Sequence, residues 1–525
     1  MKRSTITLVM QSMCYGFAAL LLTASCANDD TVQEGKQKQT DTPTGSTVFT
    51  GISQPEATTR TAILNHTKGA GASVNWSSSD KIWVKDDAGT WQQSAAATIP
   101  SAANQSYATF ALSGTYTGAS HDIIYTNKAV SGSQPQVEIK AAQTQSAPNN
   151  FDHAGASGDC GIATGNKAGN DYKFKLNHIA SYLCLIPRTN NEYVKRSTLF
   201  KVEIMSDDNI AGTYNIAADG TLTLASGGSK KITVTTGSGF AIDNSADDMS
   251  KNATYAVVAP GTHTFRIRYW LRNTTDGSYG AIEGTVSKIV TLNCTAGSIH
   301  DITANLNPYD YRGDKYYMWD AQQNYWAGHE WNSVNPWQPV LNWTSNGNYA
   351  QSNADHRYYN ESYPGYGISN PATHSSFNNV PNVNEMTWYA AKGDPRWDAD
   401  ELWTTMGHLY KGGMWFKKKA NIIGFNSNTA YDGSDWRTND SAGSWSVSQT
   451  LPDAADAGNY FYLPTLGYYI SGKLLNVGEG GLYWSSSATS RSSYLAHYLS
   501  FSSGRIYMRN FDGGRVSGYR AEAFQ

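Results

Sequence analysis

The chain has 525 residues, 40 basic against 43 acidic side chains for a formal net charge of −3, and 48 glycines and 33 tyrosines with only 16% charged residues. That balance gives no general attraction to nucleic acid or to an anionic bilayer, and the single basic run at Lys417, Lys418 and Lys419 is too short to change it, so nucleic acid is excluded as a partner. The weight on tyrosine, glycine, serine, threonine and asparagine is that of an exported, β-rich chain, with length for about three domains.

Lys2 and Arg3 precede an apolar stretch over 6–22, which ends in the small residues Thr23, Ala24 and Ser25 before Cys26. This is the layout of a secretory signal. Gln11, Ser12, Tyr15 and Gly16 interrupt the stretch and no basic stop-transfer flank follows, which argues against a spanning helix. LLTASC resembles the lipobox of bacterial lipoproteins, with Thr23 standing where leucine is usual. The resemblance implies acylation of Cys26 and an outer-membrane anchor stronger than the marginal hold of a single acyl chain. CANDD, with Asp29 and Asp30, looks like the acidic surface-export signal of Bacteroidetes lipoproteins. Residues 1–26 are therefore read as signal and lipobox, and 27–46 as a polar linker. Cys160, Cys184 and Cys294 remain, an odd number without metal-type spacing or a disulfide framework.

From 46 to 308 short runs such as STVFTGI, DKIWVKD, YLCLIP, FKVEIMS and HTFRIRYWL alternate apolar and polar residues between turn residues. Val202 and Ile204 flank Glu203, and Phe265, Ile267 and Tyr269 flank Arg266 and Arg268, the pattern of strands with one buried face. No sustained helical periodicity occurs, so two tandem antiparallel β-sandwiches are predicted, over 47–175 and 176–308. His178 lies among apolar residues with no second histidine or carboxylate at ligand spacing and is read as a hydrogen-bonded core histidine.

Three segments carry a family resemblance. TTRTAILNHTKGAGASVNWSSSDKIWV, YKFKLNHIASYLCLIP and LNCTAGSIHDITANL resemble, in order, the N-terminal, middle and closing segments of fimbrillin-like proteins, over roughly 48–307. The resemblance implies transthyretin-like sandwiches in a pilus lipoprotein. It also implies removal of the first strand by an arginine-specific protease and its replacement by a donor strand from another subunit. STVFTGISQPEATTR supplies a strand over 47–53 followed by Arg60, which is either the cut site or an exposed loop arginine.

Twelve of the sixteen tryptophans fall between Trp319 and Trp484, which places a boundary near Pro308. In 309–525 the pattern predicts two short helices, over 383–391 and 398–410, the second opening with acidic residues and bringing Leu402, Met406 and Leu409 near one face. Strands return in GNYFYLPTLGYY, GGLYWSSS, YLAHYLSF and GRIYMRNF, so this part reads as α+β. FYLPTLGYYISGKLLNVGEGGLYWSSS, with Arg515, Gly518 and Arg520, resembles the end of a C-type-lectin-like domain, although Thr465 and Leu466 replace its usual small pair. The fold class is thus mainly β, with two transthyretin-like sandwiches followed by an α+β lectin-like domain.

The serines at 485–487 lack nucleophile-elbow glycines and a histidine–acid pair, so Tyr483 and Trp484 read as core and the hydroxyls as backbone partners. Glu330, Asp394, Asp398 and Glu401 read as solvated loop and helix-start acids, and no enzyme is predicted. The Glu-Pro-Asn loop and Trp-Asn-Asp strand of calcium-dependent lectins are missing, DWRTND being only an echo, and no cofactor or metal is called for. Candidate ligand contacts are Trp331 and Trp337 in EWNSVNPW, and Asp435, Trp436 and Arg437 in GSDWRTND, where aromatic faces and polar groups share loops. Expected partners are other pilus subunits by strand exchange, a glycan or protein ligand, and the membrane through the lipid anchor. Because the chain ends GYRAEAFQ inside the lectin-like part, it is expected to accept a donor strand without offering one, and so to cap a fibre.

Overall fold

The computed structural model describes residues 46–52, 62–64, 66–70, 72–101, 105–273, 281–360, 371–439, 441–490, 492–510 and 514–525. Cys26 and Arg60, with the signal peptide and nearly all of the linker, lie outside them. Among the described residues no helix is long and apolar enough to cross a membrane.

Alternation builds the first sheet. In Tyr107–Leu112 the residues Ala108, Phe110 and Leu112 are buried while their neighbours are half-buried. They join Phe49, Trp76, Tyr172 and Phe174 in one apolar core, each large side chain contributing about 1.5–3 kcal/mol on burial. The strand order is Trp91–Gln93, Trp83–Lys85, Ser120–Tyr125, Gly161–Ala168, Asp171–Phe174, Thr47–Ile52 and Tyr107–Leu112.

Ser181–Arg188 behaves differently, since seven of its eight residues are buried. It is the middle strand of three, antiparallel to Thr254–Val258 and parallel to Ile299–Asn305, and a strand covered on both faces must be apolar throughout. A nine-stranded sheet, in which Ser197–Ser206, Gly261–Asn273 and Ile282–Cys294 carry the longest ladders, contributes to the same core. Two strands cross the boundary drawn at 175. Gln136–Ile139 pairs with Ala211–Ile216, and Ala142–Thr144 pairs in parallel with Lys231–Ala241.

In the C-terminal part the helix expected over 383–391 is Val383–Lys392, started by a capping box in which Asn382 accepts from the Glu385 N–H and Glu385 from the Asn382 N–H. The second expected helix does not form. Residues 398–410 belong to a hairpin of Arg396–Thr405 and His408–Lys417, whose two-residue turn puts Met406 at φ 48° and Gly407 at φ 75°. Two successive positive φ angles are what a tight hairpin matching the strand twist requires. Pairing on both sides decides the matter against helix propensity, because Arg396–Thr405 bridges to Ile282–Cys294 and His408–Lys417 pairs with Tyr460–Pro464. The nine-stranded sheet therefore runs from strands before residue 308 into the C-terminal part. A further sheet there is built on Gly481–Ala488 and Ala496–Phe501, with Tyr483 and Trp484 buried.

Candidate functional site

Thr47–Ile52 lies inside the first sheet, not at its edge. All six of its residues pair antiparallel with Tyr107–Leu112, and Phe49, Thr50 and Gly51 pair in parallel with Asp171–Phe174. Phe49 is fully buried, stacked on Tyr172 at 4.6 Å and edge-on to Tyr116 at 5.2 Å. Gly51 sits in a crowded spot, since a Cβ there would stand 3.0 Å from both Phe174 and Trp76. The strand is a plug that fills core space and satisfies two neighbouring backbones. Without it, those neighbours would face each other across a slot lined with unpaired N–H and C=O groups.

A second site lies where the long strands Gly261–Asn273 and Ile282–Cys294 meet the C-terminal part. Arg268 Nη2 donates to Asp398 Oδ1 at 2.8 Å and to Thr285 Oγ1 at 3.0 Å, and Trp415 Nε1 donates to Asp398 Oδ2 at 3.2 Å. Arg268 and Asp398 are both buried. Arg266 Nη1 reaches the Pro452 carbonyl at 2.6 Å, and Lys411 Nζ the Glu283 carbonyl at 2.8 Å. Glu401 accepts from the Ser287 N–H at 3.0 Å, the Ser287 hydroxyl at 2.6 Å and Thr285 Oγ1 at 3.2 Å. Burial, helped by the nearby charge of Asp398, pushes its carboxyl up to about 7 against an ordinary 4.5. Asp398 and Glu401, expected as solvated acids, are thus the polar centre of the joint. Beside them opens a cleft of about 670 Å³ lined among others by Lys288, Tyr309, Glu401, Trp415 and Tyr460. Tyr309 is 71% exposed at its mouth. A concave wall of aromatic rings with a few convergent polar groups is the shape of a small-ligand site.

The residues singled out from sequence as ligand contacts do not converge on this cleft. Trp331 is 36% exposed and lies over the hairpin turn, its ring 2.9 Å from where a Cβ on Gly407 would be. Trp337 is half-buried and stacks on His329. Asp435 is held by Arg437 through Nε and Nη2, both at 2.8 Å, and by Asn384 Nδ2 at 2.8 Å. The Arg437 guanidinium draws the Asp435 carboxyl down to about 2. This pair closes a loop on itself. Trp436, expected at the surface, is 4% exposed and packs with Trp445 and Tyr431, so its ring is core and not a contact face.

The serines of GGLYWSSS stitch backbone. Ser485 and Ser487 are buried; Ser485 Oγ accepts from the Ser487 N–H and Ser487 Oγ from the Val383 N–H, each at 3.1 Å. Tyr483 donates to the Pro464 carbonyl at 2.7 Å and Trp484 Nε1 to that of Tyr317 at 2.8 Å. His178 is buried as expected, but it has a carboxylate partner the spacing did not reveal, Asp159 Oδ1 at 2.8 Å.

The chain matches no family profile and no curated protein. Among solved structures it is similar to a candidate cell adhesion protein of Bacteroides ovatus, with 11% identity, 50% of this chain and 91% of that one covered, and a TM-score of 0.30. It is also similar to a candidate cell adhesion protein of Bacteroides uniformis, with 15% identity, 47% and 99% covered, and a TM-score of 0.27. A fimbrial protein of Bacteroides ovatus covers more, 90% of this chain and 98% of its own, at 10% identity and a TM-score of 0.24. At TM-scores this low the likenesses carry no argument, and function rests on the chain's own geometry.

Proposed function

We propose that this chain is a surface-exposed fimbrial subunit, anchored as an outer-membrane lipoprotein through Cys26. It is matured by cleavage after Arg60, which releases the first strand. A donor strand from another subunit then takes the vacated slot, and the lectin-like part at 309–525 is presented for adhesion to a glycan or protein ligand. The role is binding and assembly, not catalysis.

The observation that carries this reading is the internal position of Thr47–Ile52. It makes backbone ladders on both sides and buries Phe49, so its loss leaves a defined acceptor that only another strand can satisfy. The place of this subunit is the tip, or a minor position in the fibre. Tyr519 and Arg520 pair with Tyr317 and Tyr316, and Phe524 is buried in the core of its own module, which leaves that stretch engaged and not free to act as a donor. Immunogold label against epitopes from 309–525 is expected at fibre ends, with the mature N-terminus at Thr61. Uniform labelling of the shaft, or a mature N-terminus at acylated Cys26, would count against it.

The aromatic cleft at the joint favours a second reading, a surface glycan-binding lipoprotein that does not polymerise. It shares the anchor and the ligand but has no cleavage at Arg60 and no strand exchange. Glycan-array binding by the full chain, with no fibres and an intact first strand on the cell, would select it.

A further inference from the structure

Cys184 lies directly opposite Tyr255 on one neighbouring strand and opposite Asp301 on the other. Directly paired residues point to the same face of a sheet, so the three side chains leave it as one row. Above the row sits His66, on a short segment whose Gly69 N–H donates to Asp301 Oδ2 at 2.7 Å. The imidazole nitrogen of His66, the sulfur of Cys184 and a carboxylate oxygen of Asp301 all fall within 4.8 Å of one another.

Their partners fix the proton on the ring. The Tyr255 hydroxyl donates to Asn149 Oδ1 at 2.5 Å, which leaves its oxygen to accept from His66 Nδ1 at 3.0 Å. With Nδ1 protonated, the Nε2 lone pair is turned on Asp301 Oδ1, 3.5 Å away. Both atoms are buried without a hydrogen-bond partner. Two acceptors facing each other out of water are satisfied by a proton or by a metal cation between them. An imidazolium would draw the carboxylate in to hydrogen-bond distance. The observed gap instead matches the edge between two ligands of a tetrahedral zinc ion, about 3.3 Å at ordinary Zn–N and Zn–O lengths.

We propose that His66, Cys184 and Asp301 form a mononuclear zinc site that clips the segment following the first strand onto the second sandwich. Sulfur, imidazole and carboxylate together are a donor set for zinc and not for calcium or magnesium, which take oxygen ligands. A water completes the tetrahedron. The Asp301 side chain, 14% exposed, marks the side from which the ion enters. The site is independent of strand exchange, although it would hold the chain just beyond Arg60 in place if the preceding strand were released.

The test uses the full chain in detergent, stripped by a chelator and titrated with zinc chloride or cobalt chloride. One equivalent of zinc is expected to bind and to raise the unfolding temperature. Cobalt is expected to give the thiolate charge-transfer band and the strong visible bands of a tetrahedral ion. C184S should abolish the charge-transfer band, and H66Q should weaken zinc binding by more than about a hundredfold, beyond the loss of a group that merely supports a ligand. Both variants are checked by circular dichroism without metal, and D301N takes the place of either one that does not fold. The proposal is overturned if the wild-type chain binds neither ion stoichiometrically, or if affinity and spectrum are unchanged in the folded variants.

Discussion

Phe49 is the side chain by which the first strand holds its place. Its ring stacks on Tyr172 and meets Tyr116 edge-on, so Phe49→Ala removes both aromatic contacts and leaves a cavity. The expected cost is about 3–5 kcal/mol in the first sandwich, read as a lower denaturant midpoint in the fluorescence of the buried Trp76, with no change in the C-terminal part. At this scale sequence was informative where composition and neighbours agreed. Tyr483 and Trp484 were legible as core because two large aromatics stand on a strand just before a run of hydroxyls. Trp436 was not, because a loop rich in aromatic and polar residues has the same composition whether it anchors itself or greets a ligand. Only the packing of its ring against Trp445 and Tyr431 decides which. Asp435 and Arg437 make the same point with charge, since a bidentate pair two residues apart satisfies itself.

The hairpin of Arg396–Thr405 and His408–Lys417 is the element whose character changed most between sequence and structure. Leu402, Met406 and Leu409 fit a helical face, and the acids before them fit a helix start. Yet the Met406–Gly407 turn was the stronger local signal, a glycine at the second position of a two-residue connection between β-branched and aromatic runs. Gly407 has φ 75°, and a Cβ there would stand 2.9 Å from Trp331. Gly407→Val therefore combines a left-handed backbone penalty of about 1–2 kcal/mol with displacement of the Trp331 ring. A lower unfolding midpoint together with altered tryptophan fluorescence is expected, whereas a surface substitution such as Thr223→Ser, at an exposed position, should leave both unchanged. The helix at Val383–Lys392 was legible because its capping box is local. The cross-strand row of Cys184, Tyr255 and Asp301 was not, because its residues are brought together by strand register and not by spacing.

Across the whole molecule, the mainly β character and the aromatic weight of the C-terminal part follow from composition, but the way the segments are joined does not. Arg268 and Asp398 are 130 residues apart in the chain, and in sequence the first looks like the wet face of a strand and the second like a solvated helix-start acid. Once paired and buried they couple the middle sandwich to the C-terminal part, and the coupling depends on pH through Glu401. Its folded carboxyl titrates near 7, above its ordinary 4.5, so the folded state holds the proton more tightly than the unfolded chain. The stability from that protonation is complete below the ordinary value and is lost as pH rises through about 7. Between about pH 5 and about pH 8 the melting temperature of these coupled parts is expected to fall in the wild-type chain, and calorimetry of Glu401→Gln should show that part of the slope gone. The seam also has a mechanical meaning. Only one backbone bridge, Thr285 to Glu401, joins Ile282–Cys294 to Arg396–Thr405, so a tug on the C-terminal part by flowing liquid is carried mostly by side chains, among them the Arg268–Asp398 pair, the Arg266 and Lys411 bonds and buried Leu402. Loaded together, those contacts set the barrier whose crossing rate governs how long the joint survives shear.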